Sequence, residues 1–295
     1  FLIPPVNIRN ISASEITIGE SLQSAGYLTA HYGKWHINGG GPEKHGYHEH
    51  DGDIGNEYAA NYAGANPADI FGMAERASNF MAKAKKARKP FFIQMSFHAL
   101  HAPQNAIKET VEKYQKLNPK GREKEIGRAA ISENLDTGVG VVLEALEKLK
   151  LEKNTYVIYM SDNGSGGKKG PLRGGKGGAW EGGVRSPMIV RGPEIAVNSW
   201  CHERVVGYDW YPTFCYWAGL KKLPAGIEGG NLNQVLVNEG KGIIKRVRKE
   251  LVFHFPHYQG DTPHTALFLG DYKLMKFYET GELHLFNIKK DIIIN

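Results

Sequence analysis

The sequence has 295 residues, of which 41% are hydrophobic and 23% are charged, and its formal net charge is +6. This composition excludes a disordered or collagen-like chain and is typical of a soluble globular protein with one large core. No apolar run is long enough to span a membrane. The net charge fits an anionic ligand. The basic run at residues 83–89 indicates a solvated helix end, so we expect no nucleic-acid partner.

Helix and strand patterns alternate along most of the chain, which predicts a layered α/β fold. The predicted elements are, in order, helix 14–25, strand 27–32, helix 67–86, strand 91–97, helix 123–150, strand 155–161, strand 187–191 and helix 208–218. Gly138 and Gly140 weaken the long helix locally. Cys201 and Cys215 either form a disulfide or are ordinary buried thiols, and both interpretations remain open.

The pattern changes near residue 250, where short strands alternate with turns. These strands are predicted at residues 251–255, 265–269, 272–277 and 282–287. They predict a small antiparallel sheet. We therefore divide the chain into a main α/β domain, residues 1–249, and a C-terminal β subdomain, residues 250–295.

Polar side chains follow three of the predicted strands. They are Lys34 and His36, His98 and His101, and Asp162 and Asn163. Because ligands collect at the carboxyl ends of strands in open α/β sheets, we expect these groups to converge.

Asp162 and Asn163 offer two hard oxygen donors on a tight turn before Gly164, which suits Ca²⁺ or Mg²⁺. An Asx turn that only shapes the loop is the alternative interpretation. Zinc is disfavoured because no His or Cys pair has the spacing of a zinc site.

Lys34 and His36 project to the same side if the backbone is extended, and an ammonium beside an imidazole suits a tetrahedral anion. The alternative is a surface strand end anchored by Trp35. His101 is a natural general acid for a departing alcohol, whereas His98 is either functional or a satisfied structural histidine.

A glycine-rich stretch at residues 171–187 lets the backbone approach a ligand closely, and Lys176 within it can reach that ligand. It lacks the spacing of a Walker loop. Leu172, Trp180 and Val184 interrupt the glycines and need to be packed, which excludes a flexible linker.

An ordered set of motifs resembles the formylglycine-dependent sulfatases, and the resemblance covers nearly the whole chain. The motifs are Gly26-Tyr27-x-Thr29-Ala30-x-x-Gly33-Lys34-Trp35-His36, Ser161-Asp162-Asn163-Gly164, Leu172-Arg173-Gly174-Gly175-Lys176-Gly177 and Glu181-Gly182-Gly183-Val184-Arg185-x-Pro187. The resemblance implies an alkaline-phosphatase-like fold: a large sheet sandwiched by helices, with a small C-terminal antiparallel sheet. Residues 1–249 then form a sulfatase-type catalytic domain.

The resemblance also implies roles for the matching residues. Asp162 and Asn163 look like calcium ligands, and Lys34 and Lys176 like the cations that hold the sulfate. His36 looks like the group beside the formylglycine hydrate, and His101 like the acid that protonates the leaving alcohol or a sulfate contact.

The family's nucleophile motif, Cys or Ser followed by x-Pro or x-Ala and then x-Arg, is absent from these 295 residues, as is its paired-aspartate segment. We therefore expect an N-terminally truncated chain, inactive alone, whose formylglycine derives from an upstream Cys or Ser. For the full-length protein we expect a periplasmic or secreted location and formylglycine-generating machinery as a partner.

Three functions remain open. The first is a sulfatase acting on a sulfated small molecule or, preferably, a sulfated saccharide. The others are a phosphonate or phosphate monoester hydrolase on the same fold and a non-catalytic binder of sulfated glycans. His254 and His257, and with them His98, are candidate substrate-binding residues; the segment at residues 253–258 could equally be a packed seam.

Overall fold

The computed structural model describes residues 10–164 and 171–290. The chain divides into two compact units. The N-terminal unit comprises the described residues 10–155 and 211–227, and the C-terminal unit comprises 156–164, 171–210 and 228–290. The boundary predicted between residues 249 and 250 stays a prediction.

The described residues contain helices and strands in the alternating order that the sequence predicts. In chain order these are α1 (Ile18–Ser24), β1 (Leu28–Gly33), β2 (Glu49–His50), α2 (Ile70–Ala87), β3 (Phe91–Ser96), α3 (Lys108–Leu117), α4 (Glu123–Lys148), β4 (Val157–Met160), α5 (Glu181–Val184), β5 (Met188–Arg191), α6 (Trp210–Trp217), α7 (Asn233–Val237), β6 (Leu251–Phe255), β7 (His264–Leu269), β8 (Tyr272–Phe277) and β9 (Leu283–Asn287).

A parallel sheet of order β2-β1-β3 forms the centre of the N-terminal unit. Helix α2 buries Met73, Ala77 and Phe80 against Ala30 and Tyr32 of β1. Helix α1 begins at Ile18 because Thr17 caps it: the Glu20 amide donates to Thr17 Oγ1 and the Thr17 amide donates back to Glu20 Oε2. The predicted start near residue 14 is therefore too early.

The long helix α4 packs on α2 at a glycine. A Cβ added at Gly138 would lie 2.4 Å from Cγ2 of Ile70, which is fully buried. Gly138, treated from the sequence as a local weakness, is instead the point of close helix approach. The buried residues of α4 are Ile126, Ala130, Ile131, Asn134, Gly138 and Leu146.

The C-terminal unit contains two antiparallel ladders, β4-β5 and the four-stranded sheet β6-β7-β8-β9. Its core includes Trp180, Phe268, Met275 and Phe277. Along β8 the burial alternates strictly, with Lys273, Met275 and Phe277 buried. The small antiparallel sheet predicted near the C-terminus is confirmed.

Several other expectations concern single segments. The basic run lies at the C-terminal end of α2, as predicted, where Lys83, Lys85 and Lys86 are exposed. The cysteines do not pair: Cys201 and Cys215 are free thiols. No helix in residues 10–164 and 171–290 is long and apolar enough to cross a membrane. The elements β2, α3, α5 and α7 were not predicted.

Candidate active site

Lys34 and His98 follow the ends of two neighbouring parallel strands. Gly33, the last residue of β1, lies opposite Ser96 of β3, and the Lys34 amide donates to the Ser96 carbonyl at 2.9 Å. A side chain cannot fit at Gly33, because its φ is +88° and an added Cβ would lie 2.2 Å from that carbonyl oxygen. The two strand ends therefore meet at one sheet edge, as predicted.

Trp35 fixes the chain between Lys34 and His36. Its side chain is 8% exposed, its amide donates to Ile54 O at 2.9 Å and its Nε1 donates to Asn38 O at 2.7 Å. This anchoring ends the extended backbone, and His36 has a φ of +54°. The same-side projection of Lys34 and His36 predicted from strand geometry therefore does not hold. Lys34 is half-buried and His36 is exposed.

His98 is a buried histidine whose ring nitrogens have no hydrogen-bond partner in the described part of the chain. It is 2% exposed. Burial lowers its pKa, an effect that Asp69 and Asp51 oppose and Lys34 reinforces. A neutral imidazole with two unsatisfied nitrogens is uncommon in a protein interior and indicates a position that can contact a ligand.

Glu57 adds a carboxylate to this group, which the sequence did not single out. Its pKa is lowered by backbone hydrogen bonds, with smaller contributions from His36 and His98. Glu57 is exposed and lies within electrostatic reach of both imidazoles.

His101 has a defined tautomer. Its Nδ1 lies 2.8 Å from the Ala102 carbonyl oxygen. A carbonyl can only accept, so Nδ1 carries the proton and Nε2 of the exposed ring is the atom that can exchange protons with a ligand.

In the C-terminal unit, Asp162 and Asn163 form a turn after β4. Asp162 Oδ1 accepts from the Asn163 amide at 3.0 Å, and Asn163 Nδ2 donates to Gly164 O at 2.8 Å. The Asp162 side chain accepts from the next amide, whereas the Gly164 amide donates to Gly183 O, so the bond of an Asx turn is not formed. Within the described residues, Asp162 Oδ2 and Asn163 Oδ1 remain as side-chain oxygens without a hydrogen bond. Hard cations such as Ca²⁺ accept such donors but take about six to eight of them. In the described part of the chain no three His, Cys, Asp or Glu side chains form a metal-binding group.

The short helix α5 connects this turn to the glycine-rich stretch. The Gly164 amide donates to Gly183 O at 2.8 Å, and the Gly182 amide donates to Arg173 O at 2.8 Å. The two backbones approach so closely that a Cβ at Gly183 would lie 2.2 Å from Gly178 O. Position 183 therefore has no room for a side chain and requires glycine.

The C-terminal sheet and the segment between β6 and β7 contact the glycine-rich stretch at three consecutive residues. The Ala179 amide donates to His264 Nε2 at 3.0 Å, and Trp180 Nε1 donates to Asp261 Oδ2 at 2.7 Å. Next along the chain, Glu181 forms an ion pair with Lys273 at 3.1 Å. These contacts explain why so many glycines form an ordered segment.

Lys176 is exposed at the outer end of this segment. Within the described residues its ammonium has neither an ion-pair nor a hydrogen-bond partner. Its backbone is fixed from the other side, because a Cβ at Gly260 would lie 2.7 Å from Lys176 O. The arrangement therefore offers a cation that has no partner in residues 10–164 and 171–290, on a backbone held by its neighbours.

Two family profiles match the chain. One, described as Sulfatase, matches residues 4–220, and the other, described as N-sulphoglucosamine sulphohydrolase, C-terminal, matches residues 176–293.

The chain belongs to the sulfatase family.

Individual relatives agree with this assignment. Human arylsulfatase A is 28% identical over 334 residues, covering 96% of this chain and 62% of that protein. A sulfatase of Formosa agariphila is 33% identical over 236 residues, covering 70% of this chain and 41% of that protein. The chain thus spans less than two thirds of the length of either relative.

The fold is also similar to the crystal structure of Ps i-CgsB in complex with k-i-k-neocarrahexaose. The TM-score is 0.81 at 23% identity, over 99% of this chain and 72% of that one. The predicted family and its mixed α/β fold with a small C-terminal antiparallel sheet are confirmed.

The structure brings some of the predicted site residues together. Lys34, His36 and His98 share a neighbourhood in the N-terminal unit, and Asp162 and Asn163 are linked through α5 to the stretch that carries Lys176. These two groups belong to different units. The roles assigned to their members stay predictions.

His254 and His257 differ in position. His254 is exposed on β6, on the face opposite to Phe253 and Phe255, which pack towards the core that contains Trp180. Its Nδ1 lies 2.6 Å from Thr265 Oγ1. This geometry gives no support to a role at the glycine-rich stretch.

His257 is exposed in the segment after β6, and its Nε2 lies 3.2 Å from Gln259 Oε1. A Cβ at Gly177 would lie 2.7 Å from Gln259 O, so this segment runs beside the glycine-rich stretch.

Sequence reasoning missed the residues that hold the glycine-rich stretch in place: Glu181, Asp261 and Lys273. The signal for Lys273 was present, because two-residue alternation along the predicted strand places it with Met275 and Phe277 on the inward face. A lysine inside a core face predicts a buried carboxylate partner.

Replacing Gly183 by alanine is expected to destabilise the C-terminal unit by about 1–3 kcal/mol, because the new methyl group overlaps two carbonyl oxygens and forces a backbone shift. Urea unfolding followed by tryptophan fluorescence measures the loss. Gly207→Ala is the matched control, since nothing lies within 4 Å of a Cβ added there. Equal stability of the two variants would contradict the close approach.

Proposed function

We propose that this chain provides the sulfate-holding part of an enzyme that hydrolyses sulfate monoesters, with a sulfated saccharide as the preferred substrate class. The observation that carries the proposal is the C-terminal arrangement. There Lys176, whose ammonium has no partner among the described residues, lies on a glycine-rich backbone that is hydrogen-bonded through α5 to a turn with two hard oxygen donors.

Lys176 acts as the cation that holds the sulfate and stabilises the negative charge that develops on its oxygens. Lys34 has the same role in the N-terminal unit. Fixed charges of this kind lower a reaction barrier because they need no reorganisation as the charge develops. Lysine suits the tetrahedral sulfate group, because its compact ammonium presents several donors to neighbouring oxygens.

His101 with both ring nitrogens protonated donates its Nε2 proton to the leaving alcohol and keeps its Nδ1 proton on the Ala102 carbonyl, which leaves the neutral ring. His36, exposed and in reach of Glu57, exchanges a proton beside the reacting group. His98 binds substrate through its unsatisfied ring nitrogens.

Asp162 and Asn163 would hold the Ca²⁺ ion, or Mg²⁺ in its place, that the family uses. Their donor chemistry fits a hard cation, and they supply two of the ligands that it needs. The ion would neutralise charge on the sulfate oxygens. A formylglycine, made by the corresponding machinery from a Cys or Ser that these 295 residues do not include, supplies the nucleophile.

Two comparisons support a saccharide substrate. The profile that matches residues 176–293 is named for N-sulphoglucosamine sulphohydrolase, and the similar solved structure contains k-i-k-neocarrahexaose. His257 lies in a segment that runs beside Gly177, where a substrate bound to Lys176 would contact it.

Lys176→Ala tests the proposal. Isothermal titration of the 295-residue chain with inorganic sulfate at low ionic strength should show a dissociation constant raised at least about tenfold, equivalent to about 1.4 kcal/mol. The melting temperature should change little, because the side chain is exposed. Lys276→Ala, an exposed lysine on β8, is the control and should bind sulfate like the wild type.

An unchanged sulfate affinity in Lys176→Ala would contradict the role of this lysine. The activity itself is tested on the product of the full coding sequence with an aryl sulfate and the matching aryl phosphate. Faster cleavage of the phosphate would favour the phosphate monoester hydrolase. Sulfated-glycan binding without turnover of either ester would favour the non-catalytic binder.

A further inference from the structure

Lys273 is a charged side chain in the core of the C-terminal sheet. It is 0% exposed and lies on the inward face of β8, in line with Met275 and Phe277. Burial lowers its pKa, and the nearby charge of Glu181 acts in the opposite direction. A buried ammonium is costly unless a partner and hydrogen bonds compensate it.

Its partner is the first residue of α5. Lys273 Nζ lies 3.1 Å from Glu181 Oε1, and the Glu181 side chain is only 2% exposed. The other carboxylate oxygen pairs with Arg185. The ammonium also lies 5.1 Å from the ring centroid of Phe268 and 5.7 Å from that of Trp180, within the range of cation–π attraction. Glu181 is thus held at a defined point above the sheet.

The two residues after Glu181 form backbone hydrogen bonds with two other segments of the chain. Gly182 donates to the carbonyl of Arg173, three residues before Lys176. Gly183 accepts from the amide of Gly164, the residue after Asn163. A shift of Glu181 therefore shifts both hydrogen bonds, and with them the Lys176 backbone and the Asp162–Gly164 turn.

We propose that Lys273 is a positioning residue that, through Glu181, sets the geometry of both the Lys176 segment and the Asp162–Gly164 turn. The inference rests on the proposed function for its catalytic meaning. In this proposal the C-terminal sheet helps to position the segment that holds the anion, because Lys273 lies on β8.

The test is Lys273→Met in the 295-residue chain, since methionine keeps most of the volume and removes the charge. Amide hydrogen exchange by NMR reports the hydrogen bonds of Gly164 and Gly182 directly. Their exchange rates should rise at least about tenfold, while the amides of Ala266 and Met275 in the β7-β8 ladder change much less. A purely structural role would raise all of these rates together and would overturn the proposal.

Sulfate titration is the second readout. Outer partners of a binding site typically contribute about 10- to 100-fold in affinity, so Lys273→Met should weaken inorganic sulfate binding by at least about tenfold. Lys276→Met, on the same strand but exposed, should leave both readouts at the wild-type values. If Lys273→Met fails to fold, Glu181→Gln removes the carboxylate charge with little change of shape and takes its place in both measurements.

The two proposals fail separately. Unchanged exchange at Gly164 and Gly182 in both variants, or wild-type sulfate affinity in both, overturns the role of Lys273. If the wild-type chain binds no sulfate but these amides lose protection in the variants, the positioning by Lys273 is supported and the proposed function is wrong.

Discussion

Replacing Asp209 by alanine is expected to lower the free energy of unfolding of the C-terminal unit by about 3–5 kcal/mol. Asp209 is fully buried, and its carboxylate accepts from Arg246 Nε at 2.8 Å and from Arg246 Nη2 at 2.7 Å. It also accepts from the amides of Val206 and Gly230, both at 2.9 Å. The alanine variant leaves a guanidinium that is only 10% exposed without its carboxylate.

Urea unfolding of Asp209→Ala and of Asp271→Ala measures this effect against a matched surface pair. Asp271 pairs with Lys289 at 3.3 Å, but both side chains are largely exposed, so its loss should cost at most about 1 kcal/mol. Adding Arg246→Met to Asp209→Ala should recover part of the stability, because the unpaired charge is then gone. If both single variants lost the same free energy of unfolding, the buried ion pair of Asp209 would contribute no more to stability than a surface pair, and the prediction would be wrong.

The N-terminal unit is expected to lose stability as the pH falls from about 6.5 to about 4 because of His31. This histidine is 1% exposed, and burial, with a smaller contribution from His50, lowers its pKa to about 4. Over this range His31 is protonated in the unfolded chain but neutral in the folded chain. Stability therefore rises with pH, and the full span is worth roughly 3 kcal/mol. His98 acts in the same direction, since burial also lowers its pKa.

Urea midpoints measured between pH 4 and pH 7 by far-ultraviolet circular dichroism test this dependence, because α2 and α4 dominate the helical signal. His31→Gln should flatten the dependence, since glutamine does not titrate. A variant that keeps the wild-type slope would show that other groups control the acid sensitivity.

Much of the fold was predictable because the local signals agree with the packing. Strands β6 and β8 have the predicted bounds, since apolar alternation and turn residues delimit them on both sides. The proximity of Lys34 and His98 was also predictable. An alternation of strands and helices favours parallel strands, and these two residues follow β1 and β3, which pair in parallel.

The rest depends on contacts that sequence patterns do not contain. The left-handed backbone at His36 follows from the burial of Trp35, and the glycine at residue 138 follows from the approach of Ile70 on another helix. Glu181 is separated from Lys273 by a long stretch of chain, so only the folded sheet brings them together. Such long-range polar pairs are specified by tertiary structure and not by periodicity.

The anchoring of the glycine-rich stretch at Ala179, Trp180 and Glu181 has a thermodynamic consequence for ligand binding. Glycine-rich backbone ordinarily loses much conformational entropy when a ligand orders it. Here folding has already ordered the backbone next to Lys176, so the loop is preorganised. Anion binding should therefore carry only a small entropic penalty from the chain, and this would be visible in the temperature dependence of the titration.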